Sequence, residues 1–203
     1  MIGKKSPERS LTEVRLVEAA AQLFARNGFK ATTTREIAQL ADLNEVTLFR
    51  YFPHKPDLFL AALESHLSRI KFSRDLQISL SEGQDPEVVV PKVVMFILNA
   101  LITQPDLQHL LHVAGFELRE SEAIVRDSLG PIFDALCAYF KKIADKGRIR
   151  HIEPDLAVLG LLGAIAAHQE FRSIFNKKGF SPSVTEQAIE AYVSLCLHGL
   201  RPD

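Results

Sequence analysis

Two short amphipathic helical patterns, set either side of a four-residue turn, occupy residues Thr34–Lys55, TREIAQLADLNEVTLFRYFPHK. The first places Ile37, Ala38 and Ala41 together. The second follows Asn44 and carries Val46, Leu48, Phe49 and Phe52 with polar residues between them. Apolar positions three and four apart are the mark of a helix with one buried face. Two such helices across a tight turn read as a helix-turn-helix, whose second helix can bring side chains to base edges in the major groove. The pattern points to a helical N-terminal unit in a DNA-binding regulator.

The rest of the chain is read against that element. With 203 residues, 47% of them apolar, it is long enough for one large or two small domains with a core. The N-terminus, MIGKKSPERS, has no apolar run that would serve as a secretory signal. Gly3 is not at the position an N-myristoylation signal needs. The longest uncharged runs, Val93–Pro105 and Leu156–Gln169, fall short of the roughly 20 residues that span a bilayer. Cys137 and Cys196 form no Cys-x-x-Cys pair and no disulfide framework, and read as reduced core thiols. The expectation is a cytoplasmic protein with no membrane partner. Charge is uneven: 12 Lys and Arg face 9 Asp and Glu up to Asp75, and 12 face 16 beyond it. A basic N-terminal third on an acidic body suits a protein that sets one end on a polyanion.

Helical periodicity continues throughout, and nothing reads as a run of strands. A first helix is expected from Ser10 to Asn27, opened by the capping-box pair Ser10 and Glu13 and stopped by Gly28. A fourth is expected over Lys55–Arg74, followed by a linker at Ser79–Pro86. Further helices are expected at about 86–103, 105–118, 121–146, 154–175 and 183–200, with breaks at Pro105, Arg119–Ser121, Gly147 and Gly179–Pro182. Pro91 and Gly130-Pro131 fall inside these runs, where a proline near the first turn or a kink is expected. The fold class is all-α: a three-helix helix-turn-helix DNA-binding domain over residues 1–54 and a larger helical domain over 55–203.

Residues 10–60 resemble the tetracycline-repressor (TetR) family of bacterial transcriptional regulators. The resemblance rests on Phe24–Phe29 (F-x-x-x-G-F), then Thr33, Thr34, Ile37 and Ala38, then Thr47, Leu48, Phe49, Arg50, Tyr51, Phe52, Lys55 and Leu58, all in order and at the family's spacing. Where Asp42 stands, the family often has glycine or another small residue. The resemblance implies that Thr47 and Tyr51, one turn apart, face DNA. Thr47 would meet a base methyl or phosphate, and Tyr51 a phosphate.

Other DNA contacts are read from the residues themselves. Thr34 is expected to cap the second helix and, with Thr33, to hold a phosphate there; a plain cap away from DNA is the alternative. Arg35 can reach a phosphate or a guanine edge. Asn44 is expected to cap the recognition helix, with Glu45 and Val46 on its exposed first turn. Glu45 can accept from cytosine N4, or can stabilise the helix start through the macrodipole. Leu48 and Phe52 should pack inward, while Phe49 is open between core and groove. Arg50 is either a contact or a solvated charge. Lys55 is read as a phosphate clamp, with His54 beside it.

The same resemblance implies a C-terminal body that binds a small-molecule effector and dimerises. The segment Leu156–Ala167 is rich in Gly and Ala, and the 183–200 helix carries two apolar stripes, so the last two long helices are expected to form a C2 interface. For the effector, whose identity is open, the candidates are Phe96, Asn99, His112, Phe116, Arg119, Phe133, His168 and Phe171, aromatic walls with polar groups among them. His109 and His112, three apart, with Glu117 nearby, could in principle hold a divalent metal, but two histidines on one helix are a cheap pattern and no metal is assigned. No catalytic, phosphate-loop or dinucleotide motif is present, so neither catalytic residues nor a cofactor is assigned and the chain is not read as an enzyme. The leading expectation is a homodimeric repressor that binds a palindromic operator in double-stranded DNA and is released by its effector. The alternative is a constitutive DNA-binding or adaptor protein without one.

Overall fold

The computed structural model of the chain describes residues 10–175 and 186–200. Among these residues all regular structure is helical. The helices are α1 (Leu11–Ala31), α2 (Thr34–Leu40), α3 (Glu45–Tyr51), α4 (Lys55–Leu67), α5 (Arg74–Glu82), α6 (Pro86–Thr103), α7 (Pro105–Phe116), a 3-10 turn at Arg119–Ser121, α8 (Glu122–Asp145), α9 (Pro154–Phe175) and α10 (Glu186–Gly199). The expected break at Gly179–Pro182 and the start of the last helix before residue 186 lie outside the described residues.

The chain divides into two compact units: residues 1–69 with 106–126, and residues 70–105 with 127–203. That division differs from a boundary after residue 54. The reason is α4, which packs on α1: Leu58, Phe59, Ala62 and Leu63 are fully buried, as are Leu16, Ala20 and Phe24 of α1. Phe24, Phe29 and Phe59 form a three-ring cluster with centroids 5.2–5.7 Å apart. Aromatic contacts at these separations add to the stabilisation from burying the rings.

The expected helix over 55–74 ends at Leu67, and the expected linker is partly helix. Ser73 accepts a hydrogen bond from the Leu76 N–H and opens α5, whose Leu76, Ser79 and Leu80 are buried. Gly83, in the left-handed region at φ 65° and ψ 52°, closes it. The second unit is built round α6, whose Val89, Val90, Val93, Val94, Ile97 and Leu98 are buried with Leu136, Tyr139, Phe140 and Ile143 of α8, Val158 and Ile165 of α9 and Tyr192 of α10. By length and composition α6 could cross a membrane; here it is a core helix. Pro91 and Pro131 both sit inside helices. Cys137 and Cys196 are free thiols, and burial pushes Cys196 up to about 11, so it stays protonated near neutral pH.

Candidate nucleic-acid interface

The hydrogen bonds at the ends of α2 and α3 set the shape of the N-terminal unit. Thr33, not Thr34, caps α2. Its hydroxyl oxygen accepts from the Glu36 N–H at 3.2 Å, while the Glu36 carboxylate accepts the Thr33 N–H at 2.9 Å. This reciprocal pair is a capping box, and the bonds from Thr33, the backbone one foremost, hold the Glu36 carboxyl below its ordinary range. Thr34 lies one residue inside the helix, and its hydroxyl donates to Glu45 Oε1 at 2.6 Å. Glu45, on the first turn of α3, is thereby bonded to the first residue of α2. Neither the cytosine reading nor the macrodipole reading includes that bond.

Between α2 and α3 the chain turns through Asp42, whose φ of 53° is the only positive value among the described non-glycine residues. The left-handed region disfavours a Cβ, which is the physical reason that a glycine suits this position. Asp42 is tolerated there with a local partner: its carboxylate meets the Arg15 guanidinium at 3.2 Å. Asn44 caps α3 as expected, its Oδ1 accepting from the Thr47 N–H at 2.7 Å. Leu48 is fully buried and Phe52 is 7% exposed, so this face fixes α3 onto the unit.

The opposite face of α3 is open. Val46 is 80% exposed and Phe49 45%, and Arg50 is exposed with its guanidinium 5.4 Å from the Tyr51 ring centre. Thr47 and Tyr51 are half-buried. The Tyr51 hydroxyl is held below the ordinary phenol range by hydrogen bonds with Ser10 and Thr12. Arg35 is exposed on the first turn of α2.

Lys55 has a role inside the protein. Its Nζ donates to the Phe29 carbonyl at 2.8 Å and the Thr32 carbonyl at 2.9 Å, and lies 4.4 Å from the Phe29 ring centre. An ammonium has three N–H groups, so one is left to point elsewhere. His54 donates its backbone N–H to Asp57 at the start of α4. Sequence reasoning missed Arg15, Thr12 and Glu117. The last is a carboxylate from beyond α7 that accepts the Lys30 N–H at 3.2 Å. No local signal marks such partners, because each lies far along the chain from the group it meets.

The expected effector residues are less gathered. Phe96 packs against Phe72 in a tilted pair with centroids 4.7 Å apart, and Phe133 packs at the edge of the second unit's core, whereas Asn99 is exposed. His112 lies against Phe116, itself 81% exposed, and Arg119 is exposed; all three belong to the first unit. The side chains of His168 and Phe171 lie outside the described residues. Two clefts in the second unit, of about 270 and 420 Å³, are lined by none of these eight. Among the described residues no group of His, Cys, Asp and Glu is placed to hold a metal ion.

Comparison with known proteins places these features. Residues 16–62 match the family described as bacterial regulatory proteins, tetR family. The uncharacterised HTH-type transcriptional regulator YvkB of Bacillus subtilis is 30% identical over 146 residues, 68% of this chain and 71% of that protein. The HTH-type transcriptional repressor KstR of Rhodococcus jostii is 29% identical over 124 residues, 61% of this chain and 57% of that protein. Among solved structures, the fatty acid degradation regulator FadR from Bacillus halodurans superposes with a TM-score of 0.70 at 18% identity, covering 97% of this chain and all of that one.

Proposed function

Because this chain belongs to the tetR family of bacterial regulatory proteins and is a DNA-binding transcriptional regulator, we propose that it acts as a homodimeric repressor released from its operator by a small molecule. The observation that carries the DNA-facing part of this reading is the two-sided character of α3. Leu48 and Phe52 anchor one face while Val46, Phe49 and Arg50 are presented on the other. With Thr47, Tyr51 and Arg35 beside them, these side chains would enter the major groove and hold its phosphates. Thr33, Thr34, Asn44 and Glu45 shape α2, α3 and the turn that aims them, and Lys55 braces the segment leading into α2.

The dimer would form through α9 and α10. Leu156, Leu159 and Leu195 are 61%, 53% and 70% exposed, and Gly160, Gly163 and Ala164 leave room for a close approach. A second copy would cover this apolar surface and its cleft of about 270 Å³. Two recognition helices would then meet half-sites about 34–36 Å apart. The effector would bind among the helices of the body, with Phe96, Asn99, His112, Phe116, Arg119, Phe133, His168 and Phe171 as the residues to vary. It lowers operator affinity only as far as it binds the released form more tightly.

The test starts with purified protein and randomised duplex DNA, sequencing what is retained. A palindrome with half-sites one helical turn apart supports the reading; no enrichment at low salt overturns it. Light scattering of Leu195→Asp should show a monomer where the parent is a dimer. Small molecules are then screened for release of the recovered duplex. Loss of binding in the presence of one compound separates a responsive repressor from a constitutive DNA-binding protein.

A further inference from the structure

The outward edge of α3 is apolar at its first turn, and the side-chain oxygens Glu45 Oε1 and Asn44 Oδ1 beside that turn each accept a hydrogen bond from within the protein. Val46 is 80% exposed, and Phe49, three residues on, is 45% exposed on the same side of the helix. Leu48, next to Phe49 in the chain, is fully buried, so the exposure of the other two follows from helical register and not from a loosely packed element. The neighbouring carboxylate, Glu45, receives the Thr34 hydroxyl at 2.6 Å. The Asn44 side-chain carbonyl receives the Thr47 N–H. Arg50 on the same helix and Arg35 on the first turn of α2 are exposed cations, which suits an approach to a phosphate-lined groove.

In the major groove of a duplex the apolar group that a base pair offers is the C5-methyl of thymine, and aliphatic and aromatic side chains recognise it by contact. Cytosine is marked there by an N4 amino donor, which calls for a free acceptor. We infer that Val46, with Phe49 one turn further along, selects thymine methyl groups in the operator half-site, and that Glu45 orients α3 against α2 instead of reading cytosine. This rests on α3 lying in the major groove as proposed above, and it adds which base is chosen and by which side chain.

The operator recovered from randomised DNA is resynthesised with a single thymine replaced by uracil, one position at a time in one half-site. Uracil keeps every hydrogen-bonding group of thymine and lacks only the methyl. Binding of each duplex is measured by fluorescence anisotropy for the full chain and for Val46→Ala. At one position the parent should lose about fourfold in affinity, the worth of one buried methyl group. Val46→Ala should bind the thymine duplex more weakly and be indifferent to the same replacement. Its melting temperature should match the parent's, because the removed atoms are exposed. Tolerance of uracil at every thymine overturns the inference, as does a variant as sensitive as the parent throughout, or a half-site without a fixed thymine. Failure to recover any operator overturns the DNA reading beneath it, and is distinguishable because there is then no duplex to substitute.

Discussion

Two turns, one in each unit, pass through a glycine at positive φ, a kink within α1 and the end of α5, and their backbone groups are bonded mainly by side chains from far along the chain. In the first unit Gly28 has φ 79° and ψ 170°. The buried Thr32 hydroxyl donates to the Leu23 and Gly28 carbonyls, Lys55 closes those of Phe29 and Thr32, and Glu117 takes the Lys30 N–H. In the second unit Gly83 has φ 65° and ψ 52°. There the Tyr139 hydroxyl donates to the Gln84 carbonyl, Lys142 to that of Ser81 and Arg148 to that of Gly83, while Arg148 also pairs with Asp85 at 2.8 Å. The shared device satisfies backbone groups that a helix end leaves open. The difference is in the backbone. Gly83 occupies the left-handed helical region, which other residues visit at a cost, whereas Gly28 occupies one that is essentially restricted to glycine. The turn preceding the helix-turn-helix is therefore the more tightly specified of the two.

Alanine at each glycine gives the largest separation between them. Gly28→Ala should cost about 3 kcal/mol, since the backbone region excludes a Cβ. The added atom would also lie 2.9 Å from Glu117 Oε1. Gly83→Ala should cost about 1 kcal/mol, the ordinary left-handed penalty. Its Cβ would meet only the Lys142 side chain, at 2.9 Å, which must shift by a few tenths of an ångström while keeping its bond to the Ser81 carbonyl. Denaturant unfolding of both variants measures the gap. Equal losses would show that the two turns are interchangeable, and that the conformation of Gly28 carries no special constraint.

Lys55→Met sharpens the comparison by removing side-chain closure while leaving the backbone alone. Two carbonyls in the first turn lose their donor, which should cost about 1–3 kcal/mol. Methionine keeps the contact with the Phe29 ring, so the loss isolates the hydrogen bonds. A residue that served only as a phosphate clamp would behave otherwise. Stability would be unchanged, and the slope of log affinity against log salt would fall by about one. Melting curves together with a salt titration of DNA binding decide between the two roles.

The first unit was more legible from sequence than the second, and the reasons are local. Ser10, Asn44, Leu48 and Phe52 behave as read, because a cap or a buried face is written within four residues of itself. The cap of α2 is Thr33 and not the expected Thr34, although the spacing to Glu36 distinguishes them: only Thr33 stands three before it, as a capping box requires. The end of α4 at Leu67 was missed because neither Gly nor Pro stands between Pro56 and Gly83; the break is marked only by Ser73 as the next cap. The turn at Gly83 looked like a linker, since the side chains that close it come from Tyr139 onward. Of the candidate interface, the outward placement of Arg35, Val46 and Arg50 could be read from helical period. The Thr34–Glu45 bond and the Lys55 brace could not, because both join separate helices.

Asp42→Gly, the smallest effect, tests the left-handed penalty assigned to Gly83→Ala by removing a Cβ where that variant adds one. Asp42 sits at positive φ with its Cβ in place, so glycine removes a conformational penalty of about 1 kcal/mol. Against this, glycine loses more freedom on folding, about 0.5–1 kcal/mol. It also deletes the Arg15 ion pair, whose Asp42 side chain is 96% exposed; such pairs contribute about 0–1 kcal/mol. The three contributions nearly cancel, and the variant should melt within about 0.5 kcal/mol of the parent. Salt separates them, because screening weakens the ion pair and leaves the backbone contributions untouched. Stability of the variant relative to the parent should therefore rise as salt is added. A salt-independent difference would assign the whole effect to backbone conformation, and a loss above about 1 kcal/mol would mean that Arg15 fixes this turn more firmly than an exposed pair can.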